Sequence, residues 1–539
     1  MKKLFNKIRI AVLSLAVCAL TAVNTSCSDW LELYPEGETL LEDFWKTGDD
    51  IESVLASCYL GLMESSYLQR IVVWGEVRSD NVEAGPKVAA DVSDLLDVNV
   101  LATNSYCDWA IFYQTINYCN TVIHYAPQVL DEDKNLSRTR MESLCAEAQA
   151  IRALTYFYLV RAFGDVPIVW QPTIDDSNGF DIAKSPADEV LKKCADDLED
   201  ALTKAQTTFG SYRSDYNKAR FTKQSIRVLL ADIYLWLGDY DNCIRHCDDF
   251  LAYNAQIQLN NPQNGYSLVD MANYYSMFTS STFDCTEAIF STAFYSNTES
   301  CPFSNMYGFQ NKDHQLVAAS RISDAFTDAD DYRGKYVSYA DVAGSVNGTA
   351  ITKYVASSVV ISSGQTIPVL VSDKYYEYIF YRLADLYLIR AEALVEKAAT
   401  LSGDAEVSST LNDAIYMVNK TYMRACPDRQ RLDTLSLKTY STVEDMRQLV
   451  RDERRREFVF EGKRWFDLVR YCRREQSAQT AVDAIEGKNF PVSSEQVALS
   501  KMSTLDALYM PISKTEVDNN KLMEQNPFYQ LDETTGKNE

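Results

Sequence analysis

The sequence predicts a mainly α-helical protein in which tetratricopeptide-like helix pairs carry long irregular and β-hairpin excursions. Apolar residues recur every three or four positions over long segments, which is the spacing of an amphipathic helix. Two segments match the tetratricopeptide pattern in the same register. The segments between them lack this periodicity. Hydrophobic residues make up 46% of the 539 residues, which is an ordinary share for a globular protein.

The first long predicted helices lie at residues 109–130 and 137–163. Each carries a continuous apolar stripe, and the second ends at Gly164, shortly before a proline. A third helix is predicted for residues 186–205, because Ser185 can serve as its N-cap with proline at the first helical position.

Two tetratricopeptide-like units are predicted farther along the chain. Residues 227–234 read R-x2-L-A-x2-Y and precede a Gly-Asp-Tyr turn, and residues 380–387 read F-x2-L-A-x2-Y. Both fit the first helix of the tetratricopeptide pattern. Small residues at Ala231 and Ala384 would let paired helices approach closely. The matches lie far apart in the sequence, so we expect interrupted repeats.

The excursions differ from the helices in composition. Residues 74–105 lack helical periodicity, residues 256–315 are rich in Asn, Ser and Tyr, and residues 475–508 are polar and irregular. Residues 337–372 are β-branched, with a possible hairpin turn at 346–349. Loops of this length in a folded protein are usually functional.

The N-terminus predicts export and lipidation. The first nine residues carry four bases and no acid, an apolar run covers residues 10–20, and a small residue precedes Cys27. This is the pattern of a signal peptide, residues 1–26, and the apolar run is too short to span a membrane. A cysteine directly after the cleavage position is typical of a lipoprotein. Because residues 23–26 match the usual lipobox only loosely, an ordinary secreted protein with a chance cysteine remains an alternative.

Charge and cysteine content exclude some classes of protein. The chain has 76 acidic and 52 basic residues, and loss of four bases with the signal peptide leaves a net charge of 48 − 76 = −28. Such a chain repels phosphate backbones, so nucleic acid is not an expected partner. Of 13 cysteines, eleven remain besides Cys18 and Cys27. An odd number at low density does not indicate a disulfide framework, so most are expected to be small buried side chains.

The sequence contains no constellation that predicts catalysis, a cofactor or a metal. P-loop, dinucleotide-binding and nucleophile-elbow motifs are absent. Zinc at Cys243, His246 and Cys247 is disfavoured, because the cysteines occupy helix-packing positions. Residues 327–331 are acidic enough to attract calcium but lack the spacing of an EF-hand, so a solvated acidic turn is the alternative. The segment 447–474 holds ten bases and five acids, which predicts an ion-pair network that holds a helix to the scaffold.

Five segments resemble one known family. They are residues 27–31 (CSDWL), 148–169 (AQAIRALTYFYLVRAFGDVPIV), 381–393, 451–470 (RDERRREFVFEGKRWFDLVR) and the tail with MPI at 510–512 and QNP at 525–527. Together they resemble the SusD/RagB-like outer-membrane nutrient-binding lipoproteins of Bacteroidota. Ser513 stands where the family pattern has a second proline.

The resemblance implies a single SusD-like domain at residues 27–539, with helical repeats and inserted ligand-binding loops. It implies a lipid anchor at Cys27 in the outer membrane, facing the cell exterior. It also implies a SusC-like TonB-dependent transporter as partner, over which the lipoprotein closes as a lid. The expected function is capture of an oligosaccharide or polysaccharide for import. A peptide-capturing lid of the same transporter type and, less favoured, a glycoside hydrolase with paired carboxylates are the alternatives.

Candidate ligand-binding residues come from two loops that correspond to regions used in the family. Eleven of the 44 residues from 266 to 309 are aromatic, against 12% in the whole chain, and exposed aromatic rings beside planar polar groups are what a sugar needs. Tyr275, Phe278, Ile289 and Phe290 are expected in the core. The predicted binding residues are Trp74, Arg78, Asp80, Asn81, Tyr295, Phe303, Tyr307 and Phe309.

Overall fold

Helices dominate the structure, as the sequence predicts. The computed structural model describes residues 44–530 except for 175–178, 211–214, 262–264, 281–284, 293–302, 308–313, 335–336, 341–348, 363–364, 371–376 and 430–433. The predicted signal peptide, Cys27, Tyr295 and Phe309 therefore lie outside the described residues. The described residues from Thr47 onward belong to one compact unit.

The helices, numbered in chain order, are α1 (Gly48–Met63), α2 (Ser65–Val72), α3 (Ala90–Leu96), α4 (Ala110–Glu132), α5 (Arg138–Phe163), α6 (Ala187–Lys204), α7 (Tyr216–Ala219), α8 (Lys223–Leu237), α9 (Tyr240–Asn260), α10 (Tyr274–Thr279), α11 (Phe303–Met306), α12 (Leu383–Ala398), α13 (Asp404–Ala425), α14 (Val443–Phe458), α15 (Arg464–Glu475), α16 (Gln479–Ile485), α17 (Glu495–Lys501) and α18 (Lys514–Asn519). The strands are β1 (Val82–Ala84), β2 (Val166–Pro167), β3 (Lys184–Ser185), β4 (Ala288–Ser291), β5 (Leu316–Ala318), β6 (Tyr339–Ala340), β7 (Ala350–Ile351), β8 (Ala356–Ser362), β9 (Gln365–Leu370) and β10 (Ile379–Arg382).

The two long helices predicted first are confirmed as α4 and α5. Ser137 caps α5, because its hydroxyl accepts a hydrogen bond from the Arg140 N–H at 3.1 Å. Gly164 ends the helix with φ 75°, a backbone conformation that favours glycine. Nearly all of α5 is buried, since it packs between α4 and α6.

The third predicted helix begins later than expected. Ser185 was predicted as its N-cap, but Ser185 lies in β3 and pairs with Val166. Pro186 occupies the N-cap position without a side-chain hydrogen bond, and α6 starts at Ala187. The Ala187 N–H is bound instead by the Asp165 carboxylate at 2.8 Å. The carboxylate that satisfies this helix end therefore comes from another part of the chain.

The tetratricopeptide-like units form the pairs α8–α9 and α12–α13. Gly238, with φ 77°, makes the turn of the first pair. In the second tetratricopeptide-like segment, Phe380 lies in β10, which pairs with β4. The helix of this unit therefore begins only at Leu383. Helix α9 packs against α12, so the two units are neighbours in space although their sequences are far apart.

The strands occur as two-stranded antiparallel sheets within the described residues. Strand β1 pairs with β5, which ties the segment after α2 to residues 316–318. The predicted β-hairpin character of residues 337–372 is confirmed by the β6–β7 and β8–β9 pairs. Residues 346–348 of the predicted turn lie outside the described residues.

Ion pairs fix α14 and the turn after it to distant elements, as the charge pattern of residues 447–474 predicts. Glu457 accepts hydrogen bonds from Arg382 at 2.5 Å, from Arg333 at 2.8 Å and from Arg424. We call the connected set the central ion network; its members are Arg333, Lys353, Arg382, Arg424, Arg456, Glu287, Asp331, Glu453, Glu457 and Glu461. Five cations therefore face five carboxylates in this set.

The cysteines behave as predicted where the structure describes them. Ten are described, all as free thiols, and all except Cys145 are buried. Among the described residues, no helix combines the length and the apolar character needed to cross a membrane.

Candidate functional site

The first predicted loop forms a π-helical turn at Val73–Val77 that packs into the core. Trp74 is only 1% exposed, and its indole N–H donates to the Tyr106 carbonyl at 2.9 Å. A Cβ atom at Gly75 would lie 1.8 Å from the Gly462 carbonyl oxygen, so the turn is pressed directly against the backbone after α14. This packing leaves no face of Trp74 open to a ligand.

The polar residues of this loop are bound to the same region. Asp80 pairs with Arg464 at 2.9 Å and Arg455 at 3.1 Å. Burial alone would raise the pKa of Asp80, but the two guanidinium groups outweigh it and lower the pKa to about 2. Asn81 donates to the Glu76 carboxylate at 2.8 Å, and Arg78 lies over the Trp465 ring at 4.5 Å.

Glu76 joins the loop to the turn after α14. Its carboxylate accepts from the Gly462 N–H at 2.9 Å and the Phe460 N–H at 3.3 Å, besides the amide of Asn81. Burial raises the pKa of Glu76 to about 7, although these three hydrogen bonds oppose the rise. The loop thus contains a carboxyl group whose ionisation falls near neutral pH.

The described part of the second predicted loop is also packed inside the molecule. Phe303 stacks on Tyr354 with ring centroids 4.0 Å apart, and Tyr307 lies 5.1 Å from Phe303. Tyr307 also approaches Phe460, whose N–H binds Glu76. The structure therefore brings the two predicted loops together at the turn after α14, but as core.

Exposure, which the binding prediction requires, is absent at Trp74, Arg78, Asp80, Asn81, Phe303 and Tyr307. The physical reason is that an aromatic and polar-rich sequence can satisfy its polar groups through buried ion pairs as well as through a ligand. The core assignments of Phe278, Ile289 and Phe290 are confirmed, and Tyr275 is half-buried. A contact between the predicted residues and a ligand stays a prediction.

An open cleft of about 470 Å³ lies elsewhere, between the start of α4, the segment after α5 and the C-terminal helix α18. We call it the aromatic cleft, and its principal lining residues are Trp109, Tyr113, Trp170, Phe180, Glu516 and Asn520. Its volume and mainly apolar wall with a few polar groups are typical of a small-ligand site.

The wall formed by residues 167–173 is held by side chains of α4 and α5. Asn117 accepts from the Thr173 N–H at 2.7 Å and donates to the Thr173 carbonyl. Asn120 donates to the Val169 carbonyl at 2.9 Å, and the Tyr156 hydroxyl accepts from the Val169 N–H at 2.7 Å. These helix side chains bind the backbone of the segment and fix its path.

The aromatic side chains of the cleft differ in their surroundings. Trp170 is half-buried and stacks on Tyr156 with centroids 5.3 Å apart, while the Arg152 guanidinium lies 4.0 Å from its ring. Phe180 is 63% exposed. On the opposite wall, Asn520 donates to the Ile182 carbonyl at 2.8 Å, which ties α18 to the segment that carries Phe180.

Glu516 is the only charged side chain among the described residues that line the cleft. Burial raises its pKa, the neighbouring Trp109 side chain opposes the rise by hydrogen bonding, and the charge of Asp108 adds to it. The cleft therefore combines aromatic surface with one carboxylate that accepts hydrogen bonds.

Sequence reasoning missed this cleft although a signal for it was present. Phe180 follows a run of Asp, Ser, Asn and Gly, where no helix or strand can bury it. Trp170 follows the last residue of the recognised helix-and-turn segment 148–169. An aromatic residue outside any periodic pattern is a better indication of exposure than a high local aromatic content.

Side chains of both metal sites considered from the sequence are bound to other protein groups. His246 contacts Glu199 at 2.9 Å beside Arg245, and the adjacent thiols are buried. In the acidic segment 327–331, Asp328 and Asp330 pair with Arg429. Within the described residues, no group of three or more His, Cys, Asp or Glu side chains could hold a metal ion.

Comparisons with known proteins agree along the chain. Residues 270–529 match the family model described as "SusD family", and residues 29–235 match the model described as "Starch-binding associating with outer membrane". The chain is 26% identical over 501 residues to SusD-like protein P38 of Formosa agariphila, covering 87% of this chain and 92% of that relative.

Solved structures share the fold. A SusD homolog from Bacteroides thetaiotaomicron superposes with a TM-score of 0.71 at 18% identity, covering 91% of this chain and 99% of that one. A structure described as a laminarin binding SusD-like protein gives a TM-score of 0.63 at 20% identity, covering 89% and 99%.

Proposed function

Because the chain belongs to the SusD/RagB family, we propose that it is a cell-surface lipoprotein that captures glycans and delivers them to a SusC-like TonB-dependent transporter. Members of the family are non-catalytic binding proteins, so the glycoside hydrolase alternative is set aside. The family is associated with the outer membrane, and one structural neighbour is described as laminarin binding.

The observation that carries the glycan proposal is the aromatic cleft. Sugar rings present C–H faces that pack on aromatic planes, and their hydroxyls need acceptors and donors close by. Phe180 and the accessible part of Trp170 supply the planes, and Glu516 supplies an acceptor. Segment 167–173, whose backbone is hydrogen-bonded to side chains of α4 and α5, gives the cleft a fixed wall.

Attachment to the membrane would come from Cys27. Removal of residues 1–26 would leave this cysteine at the N-terminus, where several lipid chains would hold the protein far more firmly than one. The sequence at residues 1–27 supports this assignment, and the family's association with the outer membrane supports the location.

Glycan capture is tested with the mature chain by affinity electrophoresis and calorimetry against a panel of polysaccharides. We expect at least one polysaccharide to bind, and Phe180→Ala to weaken that binding by about fivefold, since one stacking contact contributes on the order of 1 kcal/mol. Tyr416→Ala is the matched control, because Tyr416 is 57% exposed on α13 and does not line the cleft.

Three outcomes would contradict parts of the proposal. Failure to bind any polysaccharide, while the protein still co-purifies with a TonB-dependent barrel, would remove the glycan part. Recovery of oligopeptides from that purified complex would favour the peptide-capturing lid. Absence of a barrel after mild detergent extraction from the native membrane would count against the transporter partnership.

A further inference from the structure

The described lining of the aromatic cleft carries negative charge but no positive charge. Glu516 is its only charged lining residue within the described part of the chain. Two cations lie against the Trp170 ring without lining the cleft: the Arg152 guanidinium at 4.0 Å and the Lys193 Nζ at 4.8 Å from the ring centroid. The Arg152 guanidinium beneath Trp170 is paired with Asp197 at 2.6 Å. The lining itself therefore offers no cation to an acidic ligand.

Some polar side chains that line the cleft are already hydrogen-bonded to the backbone, and others are available to a ligand. The Asn117 and Asn520 amides are committed to backbone groups of residues 173, 182 and 522. Gln171 is exposed, and no hydrogen bond of its side chain is found among the described residues. Glu516, Gln171 and the exposed Thr173 are thus the side chains left to bind a ligand's hydroxyl groups.

The surroundings of Glu516 add to its negative field. Its carboxyl is half-buried beside the Trp109 indole, and Asp108 is close enough to raise its pKa further. The formal net charge of the chain is −24. A second negative charge placed in this cleft would meet repulsion both from Glu516 and from the protein as a whole, and partial burial strengthens the local term.

We propose that the aromatic cleft takes uncharged oligosaccharides and rejects those that carry uronate or sulfate groups. Glu516 is the specificity-determining residue: it accepts hydrogen bonds from sugar hydroxyls and repels anionic substituents. This inference rests on the proposed glycan function and names the class of glycan.

The test measures neutral and anionic polymers, and its decisive comparison is between two forms of one glucan that share a backbone and differ in charge. The mature chain is measured by calorimetry with α-1,4-, β-1,3- and β-1,4-linked glucans, polygalacturonate and dextran sulfate. Each glucan that binds is measured again after partial oxidation of its C6 hydroxyl to a carboxylate. We expect the oxidised form to bind about tenfold more weakly or worse, since like charges a few ångströms apart repel strongly in a half-buried site.

Glu516→Gln separates charge from shape. We expect it to weaken binding of the neutral glucan about threefold, because a charge-assisted hydrogen bond becomes a neutral one, and to reduce the discrimination against the oxidised form. Glu406→Gln is the matched control: it removes the same charge from an exposed position on α13 and should change neither affinity.

The outcomes distinguish this inference from the proposed function. If Phe180→Ala loses binding but Glu516→Gln keeps the full preference for neutral glucan, the role of Glu516 is refuted and glycan capture stands. Tighter binding of an oxidised, uronate or sulfated polymer by the wild-type chain also refutes it. If none of the polymers binds, both the inference and the glycan function fall.

Discussion

Removing one carboxylate from the central ion network should strongly destabilise the protein. Glu457 is fully buried and serves three arginines at once, two of them at 2.5 and 2.8 Å. Burial alone would raise its pKa, but Arg424, Arg382 and Arg333 outweigh it and hold the pKa well below the usual range. Glu457→Gln keeps the size of the side chain and leaves five cations facing four carboxylates. A buried charge left without its partner costs about 3–5 kcal/mol.

That loss is a large part of the 5–15 kcal/mol by which proteins are usually stable, so urea unfolding followed by circular dichroism would detect it readily. Glu444→Gln is the matched control on the same helix, because Glu444 is 71% exposed where it pairs with Arg447. An exposed pair contributes below about 1 kcal/mol. Equal unfolding midpoints for the two variants would refute the claim that the network holds α14 to the scaffold.

Three further predictions follow from the loop after α2 and from the N-terminus. Because burial raises the pKa of Glu76 in the folded state to about 7, protonation of this group favours folding. The free energy of unfolding should therefore fall by up to about 3 kcal/mol as the pH rises from about 4.5 to about 7. Glu76→Gln should make the free energy of unfolding less dependent on pH over this range. A pH-independent wild-type stability over that range would contradict the assignment. Gly75→Ala should destabilise the fold by about 3 kcal/mol, measured by thermal unfolding, because its Cβ would overlap the Gly462 carbonyl. Cys27→Ser should release the protein from the membrane fraction, and continued sedimentation with membranes would argue against the lipid anchor.

Much of the scaffold could be predicted because its signals are local. The bounds of α4 and α5 follow from apolar stripes and from caps such as Ser137 and Gly164. The sequence predicts that residues 447–474 form ion pairs, but it does not predict which residues they pair with. Arg333 and Arg382 lie on segments far away in sequence, and no local pattern records which carboxylate they meet.

The site was harder to predict for a physical reason. Trp74 lies near polar residues, as ligand-binding aromatics do, but here Asp80 of the same loop pairs with Arg455 of α14 and Arg464 of α15, and the ring is buried in the core. Phe303 is buried as well, because its ring stacks on Tyr354. Ser185 does not cap α6 for the same kind of reason, since it pairs with Val166 of β2. Residues whose role depends on a distant partner are not determined by their own neighbourhood.

The way segment 167–173 is held has a consequence for how this protein can diversify. Asn117, Asn120 and Tyr156 bind its backbone, so the exposed Gln171 side chain is not needed to keep it in place. Substitutions of Gln171 can alter the surface offered to a ligand while the backbone of the segment keeps its path. A lineage could thereby move from one nutrient to another through a few exchanges, with the helices underneath left unchanged.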